Sequence, residues 1–136
     1  MEKLYTAVVT AKNGRNGSVK SSDGLLNLNL QKPHEMGGQG GAPNPEQLFA
    51  AAWGACYIGA LGSIAKKDGT DVSEATVNVH ITLNKDEKSY KLSAELDVHI
   101  PGIAVSDAQR LADLAHRLCP YSKATHQNIE VKVVAI

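Results

Sequence analysis

The chain has 136 residues, 43% of them hydrophobic, and fourteen basic side chains balance fourteen acidic ones. This length suits one domain, residues 1–136, which on folding buries roughly two-thirds of its unfolded surface. With no net charge, no Lys or Arg cluster and 4% aromatic residues, the chain lacks the electrostatic stripe and the stacking surface of a polynucleotide binder.

Residues 1–10 are too weakly apolar for a secretory leader, and no uninterrupted apolar run approaches the ~20 residues of a membrane span. The expected location is therefore the cytoplasm, without membrane or nucleic-acid partners. There, two cysteines suit catalysis or redox cycling better than a permanent disulfide.

Residues 5–11 read as a strand. The cluster Asn13-Gly14-Arg15-Asn16-Gly17 supplies the positive-φ positions of a tight reversal, which puts Arg15 on a turn. After a second reversal at Ser22-Asp23-Gly24, Leu26, Leu28 and Leu30 alternate with Asn27 and Asn29, completing an N-terminal β-meander. Residues 31–43 have no period and are rich in glycine, so they predict a long loop able to act as a flexible lid.

Asn44 is a good N-cap, Pro45 suits the first helical position, and Gln47 stands where a capping box needs it. From Leu48 onward the helix has almost no polar face until Lys66-Lys67-Asp68-Gly69 ends it. A helix apolar all round is buried all round. One small sheet covers only one side, so the other is expected to meet the same helix of a second subunit, with Gly54, Gly59 and Gly62 permitting close approach.

Val77, Val79, Ile81 and Leu83 alternate with polar residues, as do Leu92, Ala94, Leu96, Val98 and Ile100, predicting a β-hairpin. Ser106 is read as the cap of a second helix with Gln109 as its capping-box partner, and Pro120 ends that helix. Residues 128–134 close the chain as a strand. The class is α+β.

The two cysteines carry the chemistry. Cys56 lies mid-way along the apolar helix, and Cys119 lies in Leu118-Cys119-Pro120-Tyr121-Ser122 at the end of the second. A thiol near its reference pKa of about 8.5 is only slightly ionised at neutral pH, yet the thiolate is the nucleophile. Cys56 stands about 16 Å beyond the helix start, too far for the helix dipole to help. A side chain must supply positive charge.

Of three arginines, Arg15 on its glycine-flanked turn is best presented to a site. A guanidinium about 4 Å from the sulfur favours the thiolate by up to ~4 kcal/mol at an effective dielectric of 20. Glu46, in the first turn of the long helix, is placed to hold that arginine bidentately. Glu46 and Cys56 stand about 15 Å apart on a straight helix, so one guanidinium reaches both most easily across antiparallel helices of two subunits. If Cys56 is oxidised to a sulfenic acid, Cys119 can capture it as a disulfide, provided folding brings the Cα atoms within roughly 7 Å.

Several motifs closely resemble the organic hydroperoxide resistance proteins of the OsmC-like superfamily, over nearly the whole chain. They are Asn44-Pro45-Glu46-Gln47-Leu48-Phe49, Cys56 eleven positions after Pro45, His116-Arg117-Leu118-Cys119-Pro120-Tyr121-Ser122, and the stretch from Gly14-Arg15-Asn16-Gly17 to Ser22-Asp23-Gly24. The resemblance implies an intertwined α+β homodimer with its active site at or near the subunit interface. It also implies a thiol-dependent peroxidase that reduces organic, including fatty-acid, hydroperoxides to alcohols.

In that family pattern Cys56 is the peroxidatic cysteine, Cys119 the resolving cysteine, Arg15 the thiolate activator and Glu46 its carboxylate partner. No bound cofactor or metal is implied, and a dithiol such as a lipoylated protein resets the disulfide. Phe49, Trp53, Tyr57 and Met36 are candidates to line an apolar substrate pocket.

Two segments depart from the pattern: Ala52-Trp53-Gly54-Ala55 stands where a Gly-aromatic-(Ala or Ser)-Ala segment is usual, and His126-Gln127 replaces a common Arg-Gly. Two other functions fit a cysteine on an apolar helix: an acyl hydrolase with a Cys56 nucleophile, although no adjacent histidine base is evident, and a non-enzymatic dimer that binds apolar ligands.

Overall fold

The computed structural model describes all residues, 1–136, in two compact units, Met1–Leu48 and Phe49–Ile136. In the first unit β1 (Val9–Lys12), β2 (Ser18–Ser21) and β3 (Asn27–Asn29) form the antiparallel meander expected from the alternating leucines. Asn13 and Gly14 both take positive φ, 61° and 63°, and start the short 3-10 turn Gly14–Asn16 that carries Arg15. The first strand is shorter than predicted and begins at Val9; the Val8 carbonyl still accepts the Ser22 N–H at 2.9 Å, and no strand pairing extends to residues 1–7. Leu4 and Tyr5 stand fully in the open.

Residues 31–43 are more ordered than a bare loop. His34–Met36 makes a 3-10 turn, the Gly40 N–H donates to the Lys32 carbonyl at 3.0 Å, and the Gln31 N–H donates to the Pro43 carbonyl at 3.1 Å. These bonds give the predicted loop local structure of its own.

The capping box forms as read. The Gln47 N–H donates to Asn44 Oδ1, and the Asn44 N–H donates to Gln47 Oε1, each at 3.0 Å. They open α1 (Pro45–Asp68), which ends where Gly69 takes φ 79°.

In the second unit β4 (Thr76–Lys85), β5 (Tyr90–His99) and β6 (Glu130–Ala135) form a sheet in that order, with β4 and β5 antiparallel and β5 and β6 parallel. Val77, Val98 and Ala135 lie side by side, and so do Val79, Leu96 and Val133. One face of the sheet is therefore apolar. The other is polar and carries the His80–Asp97 contact at 2.9 Å.

Trp53, Tyr57 and Leu61 of α1 pack on the apolar face with Leu111 and Ala115 of α2 (Val105–Leu118). The Tyr57 hydroxyl donates to the Ala112 carbonyl at 2.7 Å, joining the two helices. Gly54 makes this packing close: a Cβ there would lie 3.2 Å from Val79. Gly59 and Gly62 would meet nothing within 4 Å. Close approach thus occurs inside the chain at Gly54, and the other two glycines face open space.

Only 28% of the most apolar window of α1 is buried within the chain, at a mean hydropathy of 1.6. Ala51, Ala55, Gly59 and Ser63 form an exposed stripe of small residues. By length and composition alone α1 is apolar enough to cross a membrane, which a count of uninterrupted apolar residues did not anticipate. A core helix passes the same test, and the burial of Trp53, Tyr57 and Leu61 shows one side of α1 in that role.

Two readings near the C-terminal helix are corrected. α2 begins at Val105, with Ala104 at its cap position and no side-chain cap, so Ser106 lies inside the helix. Gln109 instead reaches β6: its Oε1 accepts the Ala135 N–H at 2.7 Å and its Nε2 donates to the Val133 carbonyl at 3.1 Å. A strand needed those backbone partners more than the helix start needed a cap. Pro120, read as a terminator, also starts α3 (Pro120–Thr125), since its missing N–H costs nothing at a first helical position.

After α3, Gln127 takes φ 58°. A side chain in this left-handed region is disfavoured by about 1 kcal/mol or more, and glycine relieves it. Gln127→Gly is expected to stabilise the fold by about 1 kcal/mol, read as a rise in the urea midpoint at unchanged m-value.

Candidate active site

In the first unit the Gly14–Asn16 turn and the first turn of α1 bring Arg15 and Glu46 together. Arg15 Nη1 donates to Glu46 Oε2 at 2.7 Å and Nη2 donates to Oε1 at 2.6 Å, a fork-to-fork pair. The hydrogen bond from Arg15 is the main reason the Glu46 carboxyl is held below its usual value of 4.5. The turn itself is pinned by Asn16, whose Oδ1 accepts the Lys32 N–H at 2.9 Å. A planar guanidinium gripped on two nitrogens is fixed in aim as well as in charge.

In the second unit the two cysteines meet as free thiols, Cys56 half-buried and Cys119 fully buried. Sixty-three positions separate them, and the tertiary fold removes the gap. Cys119 is the hinge residue between α2 and α3: its N–H closes α2 on the Ala115 carbonyl, and its carbonyl accepts the Lys123 N–H of α3. That break turns the chain back over the middle of α1.

Burial is the largest influence on the Cys56 thiol and pushes it above the ordinary thiol range. The Tyr121 backbone N–H pulls it down, and its own hydrogen bond to Cys119 pushes it up again. Within Phe49–Ile136 none of these influences is a cation. A reactive thiolate at Cys56 therefore needs positive charge brought to it.

The aromatic candidates for a substrate pocket separate. Trp53 and Tyr57 are both 0% exposed and spend their polar atoms inside the protein, Trp53 Nε1 on Ser122 Oγ at 3.0 Å and the Tyr57 hydroxyl on Ala112. They are core residues and present no surface to a substrate. Phe49 sits edge-on to Trp53 at 5.9 Å between ring centroids and keeps part of its surface. Met36, in the 3-10 turn of the first unit, is half-buried.

Sequence reasoning did not find the role of Ser122, which is 2% exposed. It accepts the Trp53 indole N–H, and His116 Nδ1 lies 2.8 Å from the same oxygen. The only signal was its place in Cys119-Pro120-Tyr121-Ser122.

The second unit of this α+β fold thus holds two free thiols, Cys56 and Cys119, as neighbours. The family model for OsmC-like proteins matches residues 38–134, and the chain belongs to that family. It is 42% identical over 130 residues to an organic hydroperoxide resistance protein of Xanthomonas axonopodis pv. citri, covering 94% of this chain and 92% of that one.

It is 41% identical over 133 residues to organic hydroperoxide resistance protein OhrB of Bacillus subtilis, covering 96% of each. Among solved structures it is similar to an organic hydroperoxide resistance protein OsmC from Legionella pneumophila, described as a predicted redox protein. That match has a TM-score of 0.92 and 41% identity over 98% of each chain.

The Arg15–Glu46 fork sets an acid limit. Because the Glu46 carboxyl is depressed, its contribution to stability is complete above the ordinary carboxylate range and fades as pH falls through the lowered value. Glu46→Gln is expected to be less stable than the parent by a constant margin near neutrality. The margin should close in acid, as read by urea midpoints across pH.

Proposed function

We propose that this protein is a cysteine-based peroxidase that reduces organic hydroperoxides to alcohols as part of the oxidative stress response. The observation that carries the reading is the adjacency of two free thiols, Cys119 within hydrogen-bonding reach of Cys56. The names of the relatives in Xanthomonas and Bacillus, organic hydroperoxide resistance proteins, point to the substrate class.

The proposed cycle balances in three steps. The Cys56 thiolate attacks one peroxide oxygen, the O–O bond breaks, and the alkoxide takes up a proton and leaves as the alcohol. The sulfur becomes a sulfenic acid. The Cys119 sulfur then attacks the Cys56 sulfur, the S–O bond breaks, and the hydroxide leaves with the Cys119 proton as water. A dithiol, proposed as the lipoyl group of a carrier protein, reduces the disulfide to two thiols and is itself oxidised to a cyclic disulfide. The cycle draws on no metal or bound cofactor, and its need for reductant suits the cytoplasm.

Burial and Cys119 both keep the Cys56 proton on. The role proposed for Arg15 is to supply the missing positive charge in the assembled protein, with Glu46 fixing its direction. Phe49 and Met36 are the remaining candidates to contact the apolar part of the substrate.

The assembly is proposed as a homodimer through α1. The exposed stripe of small residues supports it, and so does an apolar groove of about 660 Å³ lined by residues including Ala51, Gly54, Ala55 and Ile58 of α1 and Val77 and Val79 of β4. An acyl hydrolase would need a general base at Cys56, and an apolar binder would have no use for a second thiol.

Mass spectrometry after one equivalent of an organic hydroperoxide is expected to show loss of two protons and a Cys56–Cys119 link. Cys56→Ser should abolish peroxide consumption with dithiothreitol, and Cys119→Ser should stop at the sulfenic acid. Arg15→Ala should slow the first step about tenfold or more, the size of one pKa unit in thiolate content. Peroxide consumption that survives Cys56→Ser would end the proposal.

Sedimentation should give twice the 14.4 kDa chain mass, with Gly59→Trp shifting the protein to monomer. A wild-type protein at monomer mass would remove the dimer.

A further inference from the structure

A buried hydrogen-bonded chain runs from the helix that carries Cys56 to the two helices that meet at Cys119. Trp53 stands three positions before Cys56 on α1, and its indole N–H donates to Ser122 Oγ at 3.0 Å. Ser122 stands three positions after Cys119, on α3. His116 stands three positions before Cys119, on α2, with Nδ1 2.8 Å from the same oxygen. One hydroxyl thus joins all three helices around the thiol pair.

The donors and acceptors of this chain are determined. An indole N–H only donates, so the Ser122 oxygen accepts from Trp53. The Ser122 O–H then needs an acceptor, and His116 Nδ1 is the one within reach. The Trp53 N–H and Ser122 O–H are both satisfied only when His116 Nδ1 is unprotonated, with its ring hydrogen on Nε2. A proton on Nδ1 would face the hydroxyl with a second donor and leave the O–H of Ser122, a residue 2% exposed, without its protein partner, a costly loss for a buried group.

We infer that Ser122 is a positioning residue that holds the Cys119 sulfur against Cys56 for disulfide closure, and that the chain it anchors opens when His116 gains a proton. This rests on the thiol-redox reading above. Closure demands tight alignment, because the attacking sulfur must reach the far side of the S–O bond while the S–S bond forms and hydroxide leaves with the thiol proton as water. The hinge at Cys119 is held by backbone bonds along its own helices, whereas the Ser122 chain ties that hinge to the helix bearing its target.

The surroundings favour the neutral ring. Burial lowers the His116 pKa below its ordinary 6.5, Asp113 one turn earlier on α2 raises it, and His126 beyond α3 lowers it. Arg117 and Lys123 line a cavity of about 400 Å³ together with His116, Ser122 and His126. From α1 the group that meets the chain is the uncharged Trp53.

The test separates the two chemical steps by rapid mixing. Trp53, the single tryptophan of the chain, is a built-in fluorescent reporter for the parent and variants. Ser122→Ala is expected to slow disulfide closure about tenfold, the worth of roughly one hydrogen bond. Oxidation of Cys56 by cumene hydroperoxide should change by less than about twofold, well under one hydrogen bond.

His116→Asn keeps an acceptor at the Nδ1 position and cannot titrate. The ratio of parent to His116→Asn closure rates should be flat near neutrality and fall as pH drops below the ordinary histidine value, the thiol ionisation common to both cancelling. Equal slowing of both steps in Ser122→Ala, or a pH-independent ratio, would overturn the inference.

If Cys56 proves inert to peroxides, oxidised glutathione can close the same disulfide. The effective concentration of the thiol pair should then still drop about tenfold in Ser122→Ala. An unchanged value would sink the positioning role independently of the peroxidase reading.

Discussion

The break in the chain at Cys119 is the constraint on which the placement of the second unit's two thiols depends. α2 ends there because Pro120 has no N–H to continue it, and α3 starts there because a first helical residue needs none. The sulfur sits at the corner between them, fully buried. A continuous helix would have carried that side chain past Cys56 on a straight rod. A corner lets it be pressed into the same apolar layer that holds the middle of α1.

That layer is made by alternation in three strands and by the apolar flank of two helices. Val79, Leu96 and Val133 line up across the sheet, and Trp53, Tyr57 and Leu111 fill the space above them. Within it each polar atom is accounted for. Tyr57 bonds a carbonyl of α2, Trp53 bonds Ser122, and Gln109 bonds both sides of the last strand. These bonds contribute less net stability than the apolar burial around them, but leaving any one unmade would be costly. They fix which arrangement of the helices is tolerated, and so where the two sulfurs fall.

Burial also works against ionisation of Cys56. The environment that brings the thiols together pushes the Cys56 thiol toward its neutral, unreactive form, with only the Tyr121 N–H opposing from within that unit. In the first unit the Arg15–Glu46 fork fixes a cation in place: a turn opened by two positive-φ residues carries the guanidinium, and a carboxylate at the start of a helix holds its two terminal nitrogens. A carboxylate there is also favoured by the helix dipole, so the same group caps charge and aims it.

Much of this was legible in the residues because it depends on near neighbours. The Asn44–Gln47 box, the turn at Asn13-Gly14, the end of α1 at Gly69 and the alternation of β4 and β5 are local choices, and each formed where read. Local rules failed where a distant partner outbid them. Gln109 left the helix start for β6, Ser106 capped nothing, and residues 5–7 formed no strand without a neighbour to pair with.

By itself the sequence determined the α+β class, the element order apart from α3, and the identity of the thiols, because side-chain period and turn chemistry act over a few residues. Only the tertiary structure decided that Cys56 and Cys119 touch, that Trp53 and Tyr57 are core, and that Ser122 links three helices. Contacts between residues sixty or more positions apart are set by how the layers pack, which no local pattern encodes.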